Sequence, residues 1–126
     1  MDFKGIIIEE SLKDRSVLKK VKILDTEVEN VIEKHRTPWL KQWTLDTVEI
    51  PEEKAEEIAE ELRKSLETAH TAWYADFKND STHFIIFAER VFKINRNKAE
   101  EYLEAKNYGI SQGIPPYQLA FSPEDK

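Results

Sequence analysis

The chain of 126 residues contains no cysteine, which excludes a disulfide framework, a thiolate nucleophile and a cysteine-ligated zinc site. Long hydrophobic runs are also missing near the start, where the apolar stretch is Ile6–Ile8 with charged residues on both sides. Such a stretch is too short for a signal peptide or for a membrane helix of about 20 residues. We therefore expect a soluble, cytoplasmic protein that does not associate with a membrane.

Positive charge is scarce, with 19 Lys and Arg against 25 Asp and Glu, for a net charge of −6. Nucleic-acid binding draws affinity from the neutralisation of phosphates, so general nucleic-acid binding is disfavoured. The charge is uneven, because residues 52–67 are strongly acidic and residues 34–43 contain no acid. The three histidines lack a short ligand spacing, so we expect no metal site and no cofactor.

Hydrophobic periodicity predicts a mixture of strands and helices. Alternation over 22–32 predicts a half-buried strand with acids on one face, and 5–12 and 42–50 also favour strands. Apolar residues at helical spacing predict an amphipathic helix over 51–68. The segment 72–95 predicts three short strands joined by tight turns, and a second helix follows from Asn97, with Gly109 as its left-handed stop.

This order of elements predicts an α+β domain over residues 1–126, with 122–126 as a mobile tail. We expect a two-layer fold in which a mostly antiparallel sheet of about five to six strands carries two helices on one face. A ferredoxin-like variant is an alternative, because strand 42–50, helix 51–68 and strand 72–78 can form a βαβ unit.

The acid-free segment is the first candidate for a ligand site. Its cations can neutralise a phosphate or carboxylate, and an indole face can stack on a planar group. The candidate residues are His35, Arg36, Trp39, Lys41 and Trp43. The alternative is a linker whose tryptophans pack into the core while its cations stay solvated, and no glycine-rich phosphate loop accompanies the segment.

The second candidate site lies in the predicted three-strand segment. On strand 72–78, Tyr74, Asp76 and Lys78 share one face, and His83 follows after a turn. A contact between His83 and Asp76 could tune the imidazole for acid–base chemistry. The alternative is a solvent-facing surface of cross-strand polar pairs, and the register of the hairpin decides between the two.

Three blocks together carry a resemblance to known proteins: Trp43–Pro51, Trp73–Asn79 and Tyr108–Pro115. They resemble a family of short, uncharacterised prokaryotic proteins, and the resemblance covers nearly the whole chain. It implies a compact single domain, and it transfers no activity and no site residue.

The sequence leads us to expect a small binding or interaction protein that recognises an anionic or planar ligand. One alternative is a small enzyme or nucleotide-binding domain that uses His83 or His35 together with Asp76, Lys78, Arg36 and Tyr74. Another alternative is an oligomeric interaction module that pairs through an exposed sheet. Whether the protein is an enzyme stays open at this point.

Overall fold

The structure, a computed structural model, describes residues 1–119 and 121. Within this part of the chain, six strands and two α-helices form the framework. Their bounds are β1 Phe3–Ile8, β2 Lys22–Asn30, β3 Gln42–Ile50, α1 Ala55–Ser65, β4 Tyr74–Lys78, β5 Thr82–Phe87, β6 Val91–Asn95 and α2 Ala99–Ser111. The predicted mobile tail, 122–126, lies outside the described residues. No helix in the described part combines the length and the apolar character needed to cross a bilayer.

The six strands form one sheet in the order β2–β3–β1–β4–β5–β6, and each neighbouring pair is antiparallel. β1 therefore lies between β3 and β4, and these two strands run parallel to each other because both are antiparallel to β1. α1 connects β3 to β4, so the predicted βαβ connection is present with β1 between its two strands.

The close approach of β1 to β4 depends on Gly5. A Cβ atom at this position would lie 2.1 Å from the carbonyl oxygen of Asp76 and 2.7 Å from Cα of Phe77. These are backbone atoms that cannot turn away as a flexible side chain can. Glycine is therefore the residue that lets the central strand pair with β4 at this point.

The predicted α+β class is confirmed, with an antiparallel sheet of six strands and two helices. The two helices lie on opposite faces, however, which corrects the expectation that they share one. Phe84 and Ile86 of β5 pack in the core that contains Ile58 and Leu62 of α1. The intervening side chains of β5 pack in a second core with Tyr102 of α2, and successive side chains of a strand point to opposite faces.

The prediction of a half-buried strand over 22–32 is wrong in its burial. β2 is an edge strand, and all nine of its residues are exposed. Leu24 is 43% and Val28 is 59% exposed, because neither helix covers this end of the sheet. The alternation of acids and apolar residues there reflects an edge strand and not a strand of the core.

The amphipathic helix is confirmed as α1, preceded by a 3₁₀ turn at Glu52–Lys54. The stop predicted at Gly109 is wrong, because α2 continues to Ser111 and Gly109 is buried within it. A Cβ atom there would lie 2.8 Å from Leu119, so this glycine permits the following segment to pack on the helix. Gly113 has the positive φ of 94° after the helix.

Candidate functional site

An apolar cleft of about 250 Å³ lies beside the central strands, on the side of the sheet opposite α1. Ile6 and Ile8 of β1 and Leu45 of β3 line it. Ile8 and Leu45 are directly opposite each other in the ladder. Ile6 keeps 49% of its surface exposed although it belongs to a central strand. The cleft exists because α2 covers only the β4–β6 end of this face and leaves β1 and β3 open.

Two tryptophans form an aromatic wall of the cleft. The rings of Trp43 and Trp73 lie 5.4 Å apart between their centroids, at an interplanar angle of 60°. Each indole N–H donates a hydrogen bond, that of Trp43 to Thr37 Oγ1 at 3.0 Å and that of Trp73 to Glu67 Oε2 at 3.2 Å. These bonds fix the orientation of both rings, since a buried or half-buried indole N–H requires a partner.

A carboxylate faces the cleft from β4. Asp76 lines the cleft and keeps about a third of its side chain exposed. Its Oδ2 lies 2.7 Å from Nε2 of His83, and Nδ1 of His83 lies 3.0 Å from the hydroxyl of Tyr102. A carboxylate only accepts, so Nε2–H donates to Asp76. Nδ1 can then accept from the Tyr102 hydroxyl, and the chain of bonds joins α2 to the cleft.

His83 itself is fully buried and faces the second core. It therefore cannot touch a molecule in the cleft, and it acts on the cleft through Asp76 alone. β4 and β5 bring Asp76 and His83 together because Lys78 pairs with His83 in the ladder. This pairing gives the register of the hairpin, which the sequence leaves open. This arrangement orients one carboxylate at the edge of an apolar space.

The segment that follows α2 closes one end of the cleft. Ile114 and Gln118 line the cleft, and the hydroxyl of Tyr74 donates to the carbonyl of Gln118. The side-chain amide of Gln118 donates to the carbonyls of Lys34 at 2.9 Å and His35 at 3.2 Å. These bonds join the segment 114–118, which follows α2, to the turn at 34–35, which precedes β3. We call these two joined segments the clasp.

The predicted ligand-binding segment does not converge on one point. Trp43 lines the cleft, whereas His35 and Arg36 border a smaller adjoining cavity of about 230 Å³. Trp39 stacks on His70 with 4.7 Å between the ring centroids. Lys41 is exposed and lines neither space. The segment 34–43 therefore contributes Trp43 to the wall of the cleft, and His35 and Arg36 to the lining of the adjoining cavity.

The imidazole of His35 is held by its own surroundings. Its Nδ1 lies 2.9 Å from the backbone nitrogen of Ile32, and its Nε2 lies 3.3 Å from Glu29. Its ring also packs edge-on to Trp43 at 4.3 Å. Contacts to three different residues leave His35 as a support for Trp43 at the base of the turn.

Of the four predicted acid–base residues, Tyr74 and Asp76 line the cleft. Lys78 lies further along β4 and borders a different, more open depression with Lys4 and Glu49. The predicted cluster is thus divided, with its cation away from the apolar cleft.

Sequence reasoning missed a pair of acids outside the cleft lining, Glu9 and Asp46. Asp46 is fully buried on β3, and its Oδ1 accepts a 2.7 Å bond from Thr26 Oγ1. The hydrogen bond with Asp46, together with burial, raises the pKa of Glu9 from 4.5 to about 7, although Arg15 opposes the shift. The one sequence signal was an acid in the middle of an otherwise core-forming strand, since a charged residue is rarely buried without a partner.

Comparisons with protein-family models, with curated proteins and with solved structures find no match for this chain. Within the described residues, no group of three His, Asp or Glu side chains is arranged to hold a metal ion.

Proposed function

We propose that the protein binds a small, planar and largely apolar molecule in the cleft between β1, β3 and the clasp. The observation that carries the proposal is the composition of the cleft, in which Trp43, Trp73 and Tyr74 accompany aliphatic side chains and one carboxylate. Ligand sites are typically apolar and aromatic, with a few placed polar groups. A volume of about 250 Å³ is suited to a molecule with one or two rings.

The same composition favours a planar ligand over the anionic ligand that the sequence also suggested. Arg36 and Lys41 do not line the cleft, and Asp76 does. A carboxylate repels an anion and accepts a hydrogen bond from a donor. The expected ligand therefore presents its ring to the tryptophans and a donor to Asp76.

Binding is also favoured over catalysis. Among the described residues that line the cleft, Asp76 is the one with a charged side chain. General acid–base catalysis requires a proton-transfer group within reach of the bound molecule. The hydroxyl of Tyr74, which also lines the cleft, already donates to the carbonyl of Gln118, and the imidazole of His83 is on the far side of Asp76. His83, held by Tyr102, thus positions the carboxylate of Asp76 to recognise the ligand.

The test uses indole as a planar probe, with nuclear magnetic resonance of the two cleft-wall indole N–H groups as the readout. We expect saturable shifts of Trp43 and Trp73, with a Kd of about 1 mM or lower. Ile6→Trp should fill the cleft and abolish the shifts.

Ile23→Trp is the matched control, because Ile23 is a β-strand isoleucine of similar exposure, 44% against 49%, and does not line the cleft. It should bind indole as the unmodified protein does. Absence of any shift in the unmodified protein, or undiminished binding by Ile6→Trp, would contradict the proposed function.

A further inference from the structure

We infer that the ligand of the cleft carries a positive charge, as an ammonium group attached to a planar or apolar body. This inference rests on the proposed function, since it assigns a chemical class to the molecule that the cleft binds. Three features of the cleft support it: the charge inside the cleft, the charges around the cleft and the aromatic wall.

Inside the cleft, the charge is that of Asp76, the one charged side chain among the described lining residues. The hydrogen bond from His83 reaches Oδ2, and about a third of the side chain is exposed. Asp76 can thus present its other oxygen to a ligand while the imidazole fixes the carboxylate. An ammonium group donates hydrogen bonds and carries the opposite charge, and such charge-assisted bonds are stronger than neutral ones.

The surroundings of the cleft add negative charge. Glu27 and Glu29 of β2 are the ladder partners of Leu45 and Trp43, so their side chains leave the sheet on the face that carries the cleft. The net charge of −6 has the same sign. A field of one sign at a cleft raises the local concentration of ligands of the opposite sign.

The nearest cations do not reverse this field. His35 lies 3.3 Å from Glu29, which offsets any charge on the imidazole. Arg36 borders the adjoining cavity, and Lys78 borders the depression at the far end of β4. A ligand with a carboxylate would therefore meet Asp76 without a cation among the described lining residues.

The aromatic wall favours a cation in a second, independent way. The faces of tryptophan and tyrosine rings attract an ammonium group that lies within about 6 Å of the ring centroid. Trp43 and Trp73 lie close together at an angle, and Tyr74 stands next to Asp76 in the cleft lining. A carboxylate beside several aromatic faces is the combination that recognises an organic cation.

The experiment compares three probes that share one aromatic body and differ in charge: phenethylamine, phenethyl alcohol and phenylacetate. Their affinities for the unmodified full chain are measured by resonance shifts of Trp43 and Trp73 at low ionic strength. We expect phenethylamine to bind about ten-fold more tightly than the alcohol, and phenylacetate to bind most weakly. The preference for the amine should decrease as salt screens the charges.

Asp76→Asn should bring the amine and the alcohol to similar affinities. Asp80→Asn is the matched control, because it removes the same charge from an exposed residue that does not line the cleft and should leave the preference intact. Equal binding of the three probes by the unmodified protein overturns the cation inference and leaves the proposed function standing. Binding of none of them overturns both, and a preference for the amine that survives Asp76→Asn overturns the role of Asp76. If Asp76→Asn does not fold, the order of the three affinities in the unmodified protein decides.

Discussion

The carboxyl pair of half-buried Glu9 and buried Asp46 predicts an unusual dependence of stability on pH. Because the pKa of Glu9 is raised from 4.5 to about 7, the folded protein retains a proton that the unfolded chain releases between these values. Stability decreases with rising pH wherever the folded state binds more protons. The contribution of Glu9 is therefore fully present below about pH 4.5 and is lost as the pH rises through about 7.

The magnitude follows from the same shift. A pKa raised from 4.5 to about 7 corresponds to at most about 3 kcal/mol of stability. The side chain of Glu9 is 24% exposed and lies 3.3 Å from Arg15, so solvent and the guanidinium reduce the cost of its charge. We expect an observable loss of about 1–2 kcal/mol.

The perturbation is Glu9→Gln, because glutamine cannot ionise and its amide can donate to Asp46 as the protonated carboxyl does. Urea unfolding should give equal stabilities for the variant and the unmodified protein near pH 4. Near pH 8 the variant should be more stable by about 1–2 kcal/mol. The difference in stability between the two proteins cancels the contributions of the other carboxylates. Glu67 is one of these, and burial raises its pKa while its hydrogen bonds lower it by a larger amount, for a net decrease.

Glu33→Gln, at an exposed acid of a 3₁₀ turn, is the control for the loss of one negative charge, and its effect should be the same at both pH values. A difference between Glu9→Gln and the unmodified protein that does not change from pH 4 to pH 8 would refute the reasoning.

Two further substitutions test the supports of the cleft. Gly5→Ala should lower the free energy of unfolding by about 2–4 kcal/mol in urea titrations, because its Cβ would overlap the backbone of β4. Gly113→Ala is the control, because Gly113 lies in open space at a positive φ, and it should cost only about 1 kcal/mol. A larger loss for Gly113→Ala than for Gly5→Ala would be inconsistent with the close approach of β1 to β4. Tyr102→Phe should cost about 1–3 kcal/mol in the same assay, because it removes the partner of a fully buried imidazole nitrogen. Leu103→Ala, at an exposed position of the same helix, should cost much less, and equal losses for the two variants would count against the buried bond.

The elements with strong local periodicity were predictable from the sequence. α1 has its apolar residues on one stripe, and the segment 72–95 does fold into β4, β5 and β6. The face of the sheet on which α2 packs was predicted wrongly, although the sequence contains a signal for it. Phe84–Phe87 is a continuous apolar run, and such a run is typical of a strand that is covered on both faces.

The candidate site was predictable only in parts. Trp43, Tyr74 and Asp76 were identified by residue type and strand alternation, but their meeting depends on ladder registers between distant segments. The clasp joins Gln118 to Lys34 and His35, and no local pattern encodes a contact over that separation. The Glu9–Asp46 pair was missed for the same reason.

The central position of β1 has a consequence for the biosynthesis of the protein. β1 is translated before either of its partners, and it can complete its pairing only after β4 has left the ribosome. Pairing between distant segments slows folding, and unpaired apolar strands are prone to aggregate in the meantime. The nascent chain therefore exposes β1 without its full set of partners until β4 has emerged, and the cleft can form only after the clasp has been translated.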